Sequence, residues 1–207
     1  MNADELGRWA PEHPEDMADL FAKAVFPWWI AGGYAIELAV GRELRPHGDL
    51  DVLILRRDQA LLRDLLAGWD LFVADPPGMG RLRPWRSGEA LQPPLHDIWC
   101  RRTPEAPWSV QLMLDESEGH EWVSRRTPQI RLPIERVGRT SASGIPYLAP
   151  EVQLFYKAKA TRDKDETDFE AVLPLLEAGQ RVWLAEAIKV IAPDHPWRRR
   201  LLSVSRT

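Results

Sequence analysis

Two short apolar runs, separated by a stretch of helical character, constrain this chain more than any other feature. The first, Trp28-Trp29-Ile30-Ala31, leads into Gly32-Gly33. The second, Leu50-Asp51-Val52-Leu53-Ile54-Leu55, opens on Asp49 and Asp51. Each run is apolar, rich in β-branched or aromatic residues and bounded by residues that interrupt regular structure, so each reads as a buried strand. Tyr34 to Val40 between them reads as a helix. This order sets a flexible backbone turn against a pair of carboxylates.

In a strand, residues i and i+2 face the same way, roughly 6 to 7 Å apart, so Asp49 and Asp51 project into one pocket. Two carboxylates there repel each other and lose solvation unless a cation is bound. Mg²⁺ is the natural candidate, because it takes hard oxygen ligands and binds through one or two carboxylates plus substrate phosphates. Two such ions, about 4 Å apart, can clamp an in-line phosphoryl displacement. The glycines supply the other half of the site. Without a Cβ, their backbone N–H groups can approach a triphosphate, and the helix N-terminus that follows completes an anion cradle. Taken singly, a Gly-Gly pair is usually a turn and an Asp-x-Asp a solvated strand end; their order is what is specific.

Gly32-Gly33, Ala35, Ile36, Gly41-Arg42, Arg45, His47, Asp49 and Asp51 resemble the nucleotide-binding core of the DNA polymerase β-type nucleotidyltransferases. Within that superfamily the spacing, with a histidine two residues before the first Asp, is most similar to the aminoglycoside 2''-adenylyltransferase group. The resemblance is close over residues 28–55 and loosest across the C-terminal third. It implies an α+β fold with a mixed sheet flanked by helices. It also implies a Mg²⁺-dependent enzyme that moves a nucleoside monophosphate, AMP from ATP or from another NTP its counterpart, onto a hydroxyl of a small molecule. Pyrophosphate is released. An aminoglycoside-like acceptor, and with it antibiotic resistance, belongs to that expectation.

The same resemblance places a third carboxylate at Asp115, after Val110-Gln111-Leu112-Met113-Leu114, where it would face Asp49 and Asp51, help hold the metal and act as general base. The alternative is that Asp115 merely begins the turn Asp115-Glu116-Ser117-Glu118-Gly119, and Asp97 on the facing strand is the second candidate. Arg42 and Arg45 lie where a triphosphate would pass, and the planar guanidinium fork suits phosphate. His47 fits the family pattern and would orient the turn before Asp49.

Composition sets the bounds. The chain has 207 residues, 44% of them hydrophobic, and a net charge of −4. That balance fits an ordinary globular chain and argues against a dedicated nucleic-acid binder, which carries a basic face. A cationic small molecule is the easier partner. No apolar stretch approaches the length of a membrane span, and the N-terminus shows no basic segment followed by an apolar core. Cys100 is the sole cysteine, so no internal disulfide or cysteine zinc cluster can form, which suits a reducing cytoplasm.

Along the chain, Pro14 to Val25 reads as an amphipathic helix, Gln59 to Ala67 as a helix capped by Asp58 and stopped by Gly68, and Trp69 to Ala74 as a strand. Residues 76–94, rich in Pro, Gly and Arg, read as loop. His96 to Arg101 and Trp108 to Leu114 read as two antiparallel strands. A nucleotidyltransferase core is thus expected over residues 1–146 and a C-terminal helical subdomain over 147–207. In the subdomain Pro150 opens one helix through Ala160, a second runs from Asp163 or Lys164 to Leu176 and is ended by Gly179, and a third spans Val182 to Ile191. Lys157 and Lys159 lie about 200° apart on the first of these, so only one can face the cleft. Lys157 is the choice, and a lysine there could neutralise triphosphate charge. The acidic cluster from Asp163 to Glu170 reads as a solvated face or as a docking site for acceptor amines.

Ten tryptophans suit core and subdomain contacts, and one of them could stack on a nucleobase. Two other functions stay open. One is a nucleotidyltransferase acting on a tRNA end or on a partner protein of a toxin–antitoxin pair, which a continuous basic groove would favour. The other is a non-catalytic binding module, which a large separation of Asp115 from Asp49 and Asp51 would favour.

Overall fold

The computed structural model describes residues 7–203. The core begins with α1 (Pro14–Leu20), β1 (Trp28–Ile30), α2 (Gly32–Val40) and β2 (Asp51–Leu55). Next come α3 (Gln59–Leu65), β3 (Asp70–Ala74), β4 (Leu82–Pro84), β5 (Asp97–Arg101) and β6 (Val110–Glu118). The three-residue strands β7 (Glu121–Val123), β8 (Arg131–Pro133), β9 (Gly138–Thr140) and β10 (Pro146–Leu148) lead to α4 (Pro150–Lys157), α5 (Asp163–Val172), α6 (Ala178–Ile191) and α7 (Pro196–Ser203).

The strands build one mixed sheet in the order β4-β3-β5-β6-β2-β1-β10-β9, with β7 and β8 carried on the far end of β6. This is the expected α+β arrangement, a mixed sheet flanked by helices. β2 is central, antiparallel to β1 and parallel to β6. Because both its faces are covered, Val52 to Leu55 are fully buried, which is why the run is continuously apolar instead of alternating. β5 and β6 pair antiparallel, as the sequence pattern predicts.

Several boundaries differ from expectation. α1 stops at Leu20, and the loop over residues 76–94 contains β4, paired to β3 through Phe72–Pro84 and Val73–Arg83. Gly179 lies in the first turn of α6 instead of ending its predecessor, whereas Pro174 interrupts the helix as proline should, in a 3-10 turn, Leu173–Leu175, that closes α5. β10 straddles the expected boundary at residue 146. Its Tyr147 is registered with Ile30 of β1, so the sheet runs into the C-terminal part. One hydrophobic cluster joins both parts, from Ile30, Ile36 and Leu53 to Leu154, Phe155 and Phe169. Among the described residues no helix is long and apolar enough to cross a membrane.

Candidate active site

The antiparallel pairing of β1 with β2 brings the end of one strand to the start of the other. Ile30 lies opposite Val52, and the Ala31 N–H donates to the Asp51 carbonyl at 2.8 Å. Gly32 therefore lands on the Asp51 side chain: a Cβ there would overlap the carboxylate, and its φ of +67° is one that other residues rarely adopt. Its N–H donates to Gln153 Oε1 of α4 at 2.8 Å. Gly33 is equally constrained, since a Cβ would collide with Arg45 and His47. Gly32 and Gly33 form the first two residues of α2, with Ala31 in extended conformation as its N-cap, so the turn and the helix N-terminus coincide.

Gly32, Gly33, Arg45, Asp49, Asp51 and Lys157 line one cavity of about 560 Å³. Asp51 is partly buried and Asp49 exposed at its mouth. Burial and then the neighbouring Asp49 charge push the Asp51 carboxyl up to about 7, with Lys157 pulling the other way. A partly buried carboxyl beside a second one offers two hard oxygen donors at one place. The pair fits a hard divalent cation. Among the described residues no cluster of three His, Cys, Asp or Glu side chains is placed to hold a metal by itself, so the remaining ligands would come from substrate oxygens and water, the usual manner for Mg²⁺.

Arg45 and His47 belong to a network joining α2 to the C-terminal helices. Glu37, buried on α2, accepts from the Leu44 and Arg45 backbone N–H groups at 2.7 and 3.1 Å and lies 2.9 Å from His47 Nε2. Burial works upward on Glu37, but these hydrogen bonds outweigh it and hold the carboxyl below its usual range. Arg45 Nη1 meets His47 Nδ1 at 3.2 Å, and Arg45 Nη2 reaches Asp168 on α5 at 3.4 Å. The His47 ring stacks on Tyr34, centroids 4.1 Å apart. His47 thus fixes the loop before Asp49 and borders a neighbouring groove instead of the cavity. Arg42 is exposed and borders that same groove; the structure does not bring it to the acidic pair.

Lys157 is buried and contacts the cavity, as expected, but it is not a spare cation. Its Nζ lies 3.1 Å from Asp165 and 2.9 Å from Asp168. These members of the acidic cluster are buried and face inward, whereas Asp163 and Glu170 are exposed and Glu166 pairs with Arg200 of α7. The cluster is therefore neither a uniform solvated face nor an open docking site. Lys159 is exposed yet borders the cavity too, so both lysines reach it.

Asp115 stands apart from the pair. In the parallel β2–β6 ladder, Asp51 is opposite Gln111, and Asp115 is opposite Leu55. Four residues of strand, about 13 Å, separate the two levels. Asp115 is fully buried, accepting from Trp122 Nε1 at 2.6 Å, from Arg125 Nη1 at 2.8 Å and from the Tyr156 hydroxyl. The carboxylate near the pair is Asp97. It accepts from Gln111 Nε2 at 2.8 Å, and its charge is felt at Asp51.

Sequence reasoning passed over Gln153, Gln111, Tyr156, Arg125 and Arg126, all of which border the cavity. Gln153 lies one helical turn before Lys157 and shares its face, a signal that was legible. Nothing local marks the others. Among the described residues no tryptophan borders the cavity.

Residues 15–71 match the family model described as Aminoglycoside-2''-adenylyltransferase. Solved structures of similar fold include the lincosamide antibiotic adenylyltransferase LnuA bound to lincomycin, with a TM-score of 0.53 and 15% identity over 78% of this chain and 95% of that one. They also include ANT(2'')-Ia in complex with adenylyl-2''-tobramycin, with a TM-score of 0.52 and 17% identity over 86% of this chain and 96% of that one. No curated protein sequence matches significantly. The chain shares the fold of these adenylyltransferases, and its residues 15–71 resemble the aminoglycoside 2''-adenylyltransferase family.

Proposed function

We propose that this protein is a Mg²⁺-dependent nucleotidyltransferase that moves AMP from ATP onto a hydroxyl of a small cationic, antibiotic-like acceptor and releases pyrophosphate. The observation that carries this reading is the seating of Asp49 and Asp51 against Gly32-Gly33 in a cavity that, among the described residues, seven lysine and arginine side chains and three carboxylates border. Arg45, Arg125, Lys157 and Arg162 are ion-paired, whereas Arg126, Lys159 and Lys164 have no ion-pair partner among the described residues, and those three cations suit a triphosphate.

Asp49 and Asp51 would hold the metal, which when bound neutralises the pair and polarises the phosphoryl group under attack. Gly32 and Gly33 let the α2 N-terminus approach the phosphates, a cradle any Cβ would fill. Asp97, bonded through Gln111 beside Asp51, takes the role of proton acceptor expected of Asp115. The acceptor would enter from the neighbouring groove of about 970 Å³, which Glu15, Glu37 and Glu43 border. There burial, and then the charges of Glu37, Glu15, Glu43 and Asp49, hold the Tyr34 hydroxyl above its ordinary range. Such a groove suits amine-bearing acceptors, and the lincomycin and tobramycin derivative bound by the similar structures are small hydroxyl-bearing compounds of that kind.

The test is pyrophosphate release from ATP with Mg²⁺ and a panel of aminoglycosides and lincosamides. Release with at least one acceptor, lost in Asp51→Asn, supports the reading; release with none of them contradicts it. The separation of Asp115 from the pair favours a second reading, a module that binds nucleotide without transfer. Metal-dependent ATP binding with no turnover on any acceptor would select it.

A further inference from the structure

The buried Asp115 has a consequence at the cavity wall. Arg125, in the turn between β7 and β8, puts Nη1 on Asp115 while its guanidinium lies over the Tyr156 ring, 5.1 Å from the centroid. Arg126 lies over the same ring at 5.1 Å and donates to the Tyr156 carbonyl at 3.0 Å. Both arginines and Tyr156 border the cavity that holds Asp49 and Asp51, and Tyr156 directly precedes Lys157 on α4. Two guanidinium charges thus stand against a single carboxylate. The Arg125 side chain is only 8% exposed, and its Nε is buried without a hydrogen-bond partner. Arginine has five N–H donors in a fixed fork, and Asp115 takes only one of them.

We propose that Arg125 and Arg126, seated on Tyr156 and anchored by Asp115, form an anion subsite for the pyrophosphate portion of the nucleotide, with Asp115 as its positioning residue. The proposal rests on the nucleotidyl-transfer reading above. A buried guanidinium needs a charge partner to stay on the wall, and Asp115, itself held by Trp122 and Tyr156, provides a rigid one. The leaving group carries its charge on oxygens that the planar fork matches, and that charge grows as the bond to the α-phosphorus breaks.

Calorimetric titration with inorganic pyrophosphate and Mg²⁺, in the absence of nucleotide and acceptor, tests the subsite directly. Arg125→Lys keeps a cation for Asp115 but loses the fork, and it should weaken pyrophosphate binding at least about tenfold. Asp115→Asn should weaken it several-fold, and the double variant should lose no more than Arg125→Lys alone, because both act through one guanidinium. If Asp115→Asn does not fold, Arg126→Ala at its exposed position provides the second arm, again with weaker pyrophosphate binding. Unchanged pyrophosphate affinity in Arg125→Lys overturns the proposal. So does an Asp115→Asn protein that binds pyrophosphate normally yet has lost turnover, the behaviour of a general base. Wild-type protein that binds ATP with Mg²⁺ but not pyrophosphate removes the subsite alone, whereas wild-type protein that binds neither removes the transfer reading as well.

Discussion

Asp51 lies directly opposite Gln111 in the parallel ladder between β2 and β6. The residue facing the acidic pair from the neighbouring strand is therefore an amide, and Gln111 in turn donates to Asp97 one strand further out. Asp97→Asn should lower turnover by about a hundredfold, within the range general bases contribute, with little change in ATP affinity. Steady-state kinetics beside ATP calorimetry checks this. Unchanged turnover would remove Asp97 from the chemistry.

The raised Asp51 carboxyl makes stability depend on pH. Its folded value of about 7 exceeds the ordinary 3.8, so between those values the folded state holds a proton that the unfolded state has released. Stability from this group then falls as pH rises through that window. Comparing metal-free wild type with Asp51→Asn isolates the effect: the variant should gain stability relative to wild type from pH 5 to pH 8, by an amount on the order of 2 kcal/mol. Thermal melts across the range measure it, and a gap between the two proteins that does not change with pH would count against the electrostatic picture.

Gly33→Ala should be costly although alanine favours helices. Its Cβ would meet Arg45 and His47, which Glu37 of α2 and Asp168 of α5 hold in place. A loss of about 1–3 kcal/mol in urea unfolding is expected, together with weakened ATP binding. Gly41→Ala is a useful contrast, because its cost arises only from a φ of +77° with open space around it, so ATP affinity should be retained.

Lys157→Met should destabilise the fold by about 1–3 kcal/mol, since it leaves buried Asp165 with Arg162 and buried Asp168 with Arg45 as their remaining cationic partners. Burial works upward on Asp165, but the Arg162 hydrogen bonds and Lys157 outweigh it and hold its carboxyl at about 2. That contribution is present above the ordinary value of 3.8 and is lost as pH falls towards 2. Acid unfolding of the variant should therefore begin at higher pH than in wild type, which circular dichroism during an acid titration would show.

The β1-α2-β2 unit was legible because its information is local: two apolar runs, two glycines and a helical period. The pairing that gives those residues meaning is not local. Asp115 has the same side-chain parity as Gln111 and Met113, so the alternation of β6 places all three on one face, but only the register with β2 shows that Asp115 is four residues past the pair. Arg42 resembles Arg45 in sequence, yet the left-handed turn at Gly41 leaves it outside the cavity. Lys157 was found from its helix face, while its partners lie on α5, beyond the reach of helical spacing. The short strands β7 to β10 carry too few residues for a periodic signal and owe their form to pairing with neighbours.

The most direct measurement of the central claim is calorimetric titration of a non-hydrolysable ATP analogue into wild type, Asp49→Asn and Asp51→Asn, with and without Mg²⁺. Binding to wild type should strengthen markedly with Mg²⁺, and that enhancement should vanish in both variants while the analogue still binds weakly to the cationic wall. Binding that ignores Mg²⁺, or that gains equally from it in Asp51→Asn, would contradict the assignment of Asp49 and Asp51 as the metal-holding pair.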